Sequence, residues 1–294
     1  MTTINPLEPI KARITEIRDM TAIEKLVTIK FQDPKYAESF RYTPGQFIKM
    51  GIMGVGEVPI SICTSQTSEP GLELCIRNAG RVSNAVHNLK AGNIVWVRGP
   101  YGNGFPMNNF EGSDLLLVAG GLGIAPIRGV LQYALMNRER FGEISVLYGV
   151  KCYDLMLFKD DILDYFRNGD RQGVKVYLSY EDKNDKACYG LECERSERCM
   201  KGLVTALFSK IDPPTHNTYA ILGGPPIMYK FTVRELEKLG LPPERIYMTL
   251  ERRMRCGLGQ CGQCIVGSGK SIKYVCKDGP VFNLWEAMNT QGMI

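Results

Sequence analysis

The sequence predicts an antiparallel β-barrel, then a doubly wound parallel α/β sheet, then a small cysteine-rich C-terminal lobe. Three observations predict this. The N-terminal third is a series of short β-type runs broken by Gly, Pro, Asn and Asp. From Asp114 onward, apolar runs of strand length alternate with helical patterns. Near the end, "ERRMRCGLGQCGQCIVG" at 251–267 sets three cysteines among glycines.

The barrel strands are read from "KARITEIRDM", "IEKLVTIKF", "GQFIKMGI", "VPISICTS", "GLELCIRNAG" and "GNIVWVRGP". Their spacing suits an antiparallel barrel. One helix-like piece, "RVSNAVHNL", interrupts them. Turn residues in "NNFEGS" (108–113) mark a boundary, so the barrel is assigned to 1–110. The α/β part takes 111–245 and the cysteine lobe 246–294.

In the α/β part, "LLLVA" (115–119) reads as a strand, followed by Gly120, Gly121 and Gly123, then by Ala125, Pro126 and a helical pattern to Leu135. Strand, glycine turn and helix together aim backbone N–H groups and a helix N-terminus at a phosphate. Pro126 suits the first helical turn, where a missing N–H costs nothing. Alone, such a turn is also compatible with a plain tight connection. Similar units follow. "ISVLYG" (144–149), "VKVYLSY" (174–180) and "TYAILGG" (218–224) read as strands. "DLMLFKDDILDYF" (154–166) and "PPIMYKFTVRELEKLG" read as helices. A sheet of this kind binds ligand at the C-terminal ends of its strands.

Composition narrows the function classes. The chain has 294 residues, is 44% hydrophobic and carries a net charge of +5. That charge is too weak and scattered to argue for nucleic acid. The longest apolar stretch, "LLLVAGGLGIAPI", is broken by glycines and shorter than the ~18 residues of a membrane span. The N-terminus "MTTINPLEPIK" shows no secretory signal. Ten cysteines without such a signal point to a reducing, cytoplasmic setting and to metal binding rather than disulfides.

Cys256, Cys261, Cys264 and Cys276 follow the C-x4-C-x2-C…C pattern of a plant-type 2Fe–2S cluster. Gly257, Gly259 and Gly262 supply the freedom a loop needs to wrap tightly and aim N–H groups at sulfur. Zinc, which usually takes two tighter cysteine pairs, and buried thiols are the other readings. Cys188, Cys193 and Cys199 match no metal spacing and read as free or partly buried thiols, or as ligands completed by Cys152. His87 and His216 read as surface residues, and Arg252, Arg253 and Arg255 as a solvated face or a dock for an acidic partner.

The order of barrel, nucleotide sheet and cysteine lobe resembles the ferredoxin–NADP reductase superfamily. "TPGQF" (43–47) is similar to its barrel turn, "PIS" (59–61) to its flavin segment, and "GGLGIAP" and "GGPPIMYK" to its nicotinamide-nucleotide motifs. The cysteine lobe narrows the resemblance to electron-transfer subunits carrying a 2Fe–2S cluster. "GEVPISIC", "RGPYGNGFP" and "YMTLERRMRCG" look most like the γ-subunit family of archaeal cytosolic nickel–iron hydrogenases.

The resemblance implies FAD, NAD(P) and a 2Fe–2S cluster as cofactors. It implies that Pro59, Ile60 and Ser61 line the isoalloxazine, with Ser61 near N5. It places Arg77 against flavin phosphate, and Gly80, Val82 and Ser83 at a helix start that takes the pyrophosphate. Gly120, Gly121, Gly123, Ala125, Pro126, Gly224, Pro225 and Met228 complete the cofactor-binding set. Where relatives often carry an arginine before the Pro–x–Ser segment, this chain has Glu57 and Val58, and where many carry a cysteine it has Gly223.

The implied activity is a diaphorase subunit exchanging electrons with iron–sulfur and catalytic subunits of a hydrogenase complex. The alternatives are a sulfite reductase, a dihydroorotate dehydrogenase or a heterodisulfide-reductase-linked complex. After "VKVYLSY", Glu181 and Asp182 favour a free ribose, while Lys183 and Lys151 favour a 2′-phosphate, so the nucleotide choice stays open.

Overall fold

The structure is a computed structural model that describes residues 5–66, 71–181, 196–212 and 214–294. The N-terminal runs form β1 (Ile10–Asp19), β2 (Glu24–Phe31), the short helix α1 (Pro34–Ser39), β3 (Phe47–Ile52), β4 (Gly56–Ser61), β5 (Leu72–Arg77), helix α2 (Arg81–His87) and β6 (Ile94–Tyr101). The strands pair antiparallel in the order β4-β3-β6-β1-β2-β5. A bridge between Ile62 and Leu74 joins the two ends, so the sheet closes into the expected barrel. Closure removes free edges. Along β6, buried and half-buried residues alternate, which is the period of a strand with one face in a core. Ile14, Val27, Ile48, Met50, Leu74 and Val97 fill that interior.

The second part contains β7 (Asp114–Gly120), α3 (Ile124–Met136), β8 (Ile144–Val150), α4 (Lys159–Asn168), β9 (Val174–Tyr180), β10 (Cys199–Lys201), β11 (Thr218–Gly223), α5 (Pro226–Lys238) and β12 (Ile246–Thr249). The chain ends with β13 (Ile265–Val266), β14 (Lys273–Tyr274), β15 (Val281–Asn283) and α6 (Leu284–Met288). The large sheet has the order β10-β9-β8-β7-β11-β12-β15, parallel except where β15 pairs antiparallel with β12. Strand order reverses between β7 and β11, which opens the crevice where such sheets bind ligands.

Three details differ from expectation. β12 and β15 lie beyond residue 245, yet both belong to the large sheet, and the cysteine loop is an excursion between them. Strands this short leave no periodicity to read. Helix α4 starts at Lys159 rather than 154, because Phe158 before it is left-handed, with φ 52°. Cys199 is disulfide-bonded where a free thiol or ligand was expected. Cys188 and Cys193 lie outside the described residues.

Candidate functional site

The barrel, the large sheet and the segment after β12 enclose a cavity of about 670 Å³. Pro59, Ile60 and Ser61 of β4 line one side, and Gly80, Val82 and Ser83 of the α2 start line another. An apolar strand wall beside a helix start suits a flat ring system bearing phosphate. The first-turn N–H groups of a helix have no intrahelical acceptor, so Val82 and Ser83 can offer theirs to an anion. The Ser83 hydroxyl is already engaged: it accepts from the N–H groups of Ala79 at 3.0 Å and Gly80 at 2.9 Å. It therefore shapes the turn, and the N–H groups of the helix start are what remains for an anion.

Arg77 lines the cavity, but its Nε donates to Glu24 Oε1 at 2.6 Å, and Glu24 is buried. Its charge is thus already answered in part. Arg81 lines the same cavity and has no acidic partner among the described residues. Sequence reading missed it, although its place at the start of α2 was the signal. Glu57 accepts from Arg98 Nη2 at 2.5 Å and from Lys49 Nζ at 2.6 Å.

A second cleft of about 540 Å³ lies at the C-terminal ends of β7 and β11. Gly120, Gly121, Gly123, Gly224, Pro225 and Met228 line it. The glycines have different jobs. Gly121 has φ +51°, and a Cβ there would meet open space, so its backbone faces the open cleft. A Cβ on Gly123 would lie 2.2 Å from the carbonyl of Gly223, so Gly123 lets the two turns touch. The Met228 thioether fills the gap between Gly120 and Gly224, since a Cβ on either would come within 2.7 Å of its sulfur.

The N–H of Gly224 donates to the Tyr229 hydroxyl at 3.1 Å, and that hydroxyl donates to Thr249 O at 2.5 Å. The Gly224 N–H, at a position expected to bind cofactor, is therefore spent on holding β12. Ala125 and Pro126 line the first cavity rather than this cleft. Lys151 and Glu181 do line the cleft, while Asp182 and Lys183 lie outside the described residues. Leu203, Ile227 and Phe231, exposed at 54%, 59% and 45%, also line it and give it an apolar wall that sequence reading did not foresee.

Arg77, Leu122, Gly123, Gly224 and Glu251 line both spaces, so the two adjoin there. Thr249 to Met254 also line the first cavity. The lobe segment thus completes a site expected from the other two parts alone, because β12 ends at the same crevice.

That segment runs straight into the cysteine loop. Cys256 is half-buried, Cys261 exposed, and Cys264 and Cys276 buried. Gly257, Gly259 and Gly262 have φ of 79°, 72° and 75°, as the wrapping argument requires. Leu258 and Gln260 N–H groups donate to Cys256 Sγ at 3.3 and 3.4 Å. Gly259 N–H donates to Cys276 Sγ at 3.1 Å, and Cys276 N–H to Cys264 Sγ at 3.4 Å. Burial works to raise the Cys256 thiol. The N–H groups of Leu258, Gln260 and Cys261 and the Cys261 thiol outweigh it and bring it down to about 6. Burial, then the Cys264 thiol, pushes Cys276 up. Thiolate-stabilising N–H groups are what a metal–sulfur site needs. Among the described residues no group of three or more His, Cys, Asp or Glu side chains is arranged to hold a metal ion. Backbone N–H groups of the loop point at the sulfurs of Cys256, Cys264 and Cys276 instead.

Comparison with known families assigns the same three parts. An oxidoreductase FAD-binding domain matches residues 14–105, and an oxidoreductase NAD-binding domain matches 117–234. The iron–sulfur cluster binding domain of dihydroorotate dehydrogenase B matches 251–287. The chain is therefore an oxidoreductase of the flavin, nicotinamide and iron–sulfur class. Sulfhydrogenase 2 subunit gamma of Pyrococcus furiosus is 49% identical over 99% of this chain and 100% of that protein. Sulfhydrogenase 1 subunit gamma of the same organism is 42% identical over 99% of this chain and 96% of that protein. The chain belongs to the sulfhydrogenase gamma-subunit family.

Among solved structures, the NADH-dependent reduced ferredoxin–NADP oxidoreductase superposes with a TM-score of 0.72 at 23% identity. The match covers 93% of this chain and 88% of that one, and it supports the fold. No helix among the described residues is long and apolar enough to cross a membrane.

Proposed function

We propose that the chain moves electrons between NAD(P)H and the iron–sulfur and catalytic subunits of a cytoplasmic nickel–iron sulfhydrogenase. The work divides along the chain: 1–110 binds FAD, 111–245 binds the nucleotide and 246–294 carries a 2Fe–2S cluster. FAD, when bound, supplies the exchange between the two-electron chemistry of nicotinamide and the one-electron chemistry of a cluster.

The residues present fit these groups. Pro59 and Ile60 would give the ring an apolar wall, Ser61 would offer it a hydroxyl, and Arg81 and the α2 start would hold the phosphates, since all of them line the first cavity. Gly121 leaves room for the nucleotide backbone, and Leu203, Ile227 and Phe231 give its rings an apolar face. Cys256, Cys261, Cys264 and Cys276 ligate the cluster. Their C-x4-C-x2-C…C spacing and the backbone N–H groups donating to three of the sulfurs suit a cluster of two irons, each with two thiolates.

The observation that carries this reading is the junction. The flavin cavity shares its wall with the nucleotide cleft, and the Thr249–Met254 segment leads from that wall to Cys256. The test is the absorption of the purified protein. Flavin bands with a cluster shoulder, both bleached by NADH or NADPH, are expected, with about two irons and two sulfides per chain. Stoichiometric zinc at these thiols, or flavin that neither nucleotide bleaches, would refute it.

A further inference from the structure

Lys49 lies on β3 with its side chain only 2% exposed. A buried ammonium is costly unless its hydrogens find acceptors. Its Nζ donates to Glu57 Oε1 at 2.6 Å and to the main-chain carbonyl of Arg255. Arg255 is the residue before Cys256. The lysine stem packs beneath the same loop: a Cβ on Gly257 would lie 3.4 Å from Lys49 Cδ and 3.3 Å from the Tyr101 ring. Glu57 also takes Arg98, through Nη2 at 2.5 Å and Nε at 3.0 Å. Glu57 also lines the first cavity, so Lys49 links a cavity-lining carboxylate, shared with Arg98, to the residue before the first cysteine of the loop.

We propose that Lys49 and Glu57 form a charge pair that sets the reduction potential of the cluster and ties the Cys256 loop to the flavin-bearing barrel. The inference rests on the cluster reading above. Reduction adds one negative charge to a cluster. A fixed cation beside a ligand favours the reduced state, and a fixed anion disfavours it. Lys49→Met removes a cation and leaves Glu57 with Arg98 alone, so the potential falls. Glu57→Gln removes the anion and leaves both cations, so the potential rises. Opposite signs are the signature of a charge effect, because general loosening of the loop has no reason to act in opposite directions.

The experiment is a dithionite titration of the FAD-loaded full chain. The cluster is followed by electron paramagnetic resonance and the flavin by absorption, with iron and sulfide assayed alongside. Each substitution is expected to change the reduced-to-oxidised ratio of the cluster at least tenfold, ~59 mV for one electron. The shifts should be opposite in sign and smaller for the flavin. Shifts of the same sign, changes below threefold in both variants, or a shift confined to the flavin would overturn the proposal. If Lys49→Met does not retain its cluster, Glu57→Gln decides the matter, since the change is isosteric at a side chain 35% exposed. Zinc in the wild-type protein would overturn the cluster reading and this proposal together. An iron–sulfur cluster indifferent to both substitutions overturns the proposal alone.

Discussion

Two buried cations clamp the barrel to its neighbours, and they do so differently. Arg128 on α3 uses its whole fork. Nη1 donates to Glu73 at 2.6 Å and to Cys63 O at 3.1 Å, and Nε donates to Asp161 at 2.8 Å. Its guanidinium also stacks on Phe158, 4.7 Å from the ring centroid. The seam continues along α3: a Cβ on Gly129 would lie 3.0 Å from Thr64 O, and Gln132 accepts from Ser65 N–H at 3.0 Å. Lys49 makes two contacts, and one of them is a loop carbonyl. A planar fork fixes geometry, whereas an ammonium on a flexible stem acts mainly as a point charge. The Arg128 seam therefore sets how the flavin strands face the nucleotide turn. The Lys49 seam sets the field at the cluster loop.

Removing Arg128 is the harshest test of that contrast. Arg128→Met leaves the Glu73 carboxylate buried, with Arg18 at 3.8 Å as its remaining charged neighbour. Leaving one member of a buried pair alone costs about 3–5 kcal/mol. Urea denaturation should show a loss of that order. A loss under about 1 kcal/mol would mean that the seam is held by the Gly129 and Gln132 contacts instead.

The glycine turns come next, and the structure separates two substitutions that look equivalent in sequence. Gly123→Val drives a side chain into the Gly223 carbonyl and should lower thermal stability and FAD retention together. Gly121→Val points into open space but sits at φ +51°. It should weaken NADH and NADPH about tenfold, ~1.4 kcal/mol, while FAD content stays unchanged. Equal effects of the two variants on FAD content would undo the distinction.

Cys256→Ser is expected to remove the cluster and leave reduction of the flavin by nucleotide in place. Because Thr249 to Met254 line the flavin cavity, FAD should also dissociate several-fold more readily than from the wild type. Fluorescence of released flavin measures this, and unchanged retention would show that the segment holds its place without the cluster.

What was legible in the sequence follows the same divide. Where a motif is local, it could be read. β9 occupies the expected 174–180, and the glycine turns at 120–123 and 223–224 meet at the switch point. Where a site is built by distant segments, it could not. "FIKMGI" gives no sign that Lys49 is buried, because its carbonyl partner lies 206 residues away. Separation along the chain likewise hid Glu251 from the junction and Arg128 from Glu73, which lie 55 residues apart. Ser83 and Arg77 were read as ligand contacts, but backbone N–H groups and Glu24 already use them in whole or part. A side chain's type announces its chemistry, but its remaining capacity depends on neighbours that only the fold supplies.

The smallest expected effect is a pH dependence at the Lys49 seam. Burial works to raise the Glu57 carboxyl, but hydrogen bonds from Arg98 and then Lys49, with their charges, hold it below its usual range near 4.5. A lowered folded-state value contributes stability above the unfolded value and loses it as pH falls through the folded one. The contribution is therefore complete at neutral pH and disappears only in acid. Glu57→Gln should be less stable than the wild type at pH 7, because it leaves Lys49 buried without its anion. The gap should narrow below about pH 4.5, where protonated Glu57 comes to resemble glutamine. Solvent screening at a side chain 35% exposed keeps the change modest. Urea midpoints of the two proteins between pH 7 and pH 3 measure the gap. A gap of constant size would show that the Glu57 side chain supports Lys49 by shape and hydrogen bonding, with its charge playing no part in the seam.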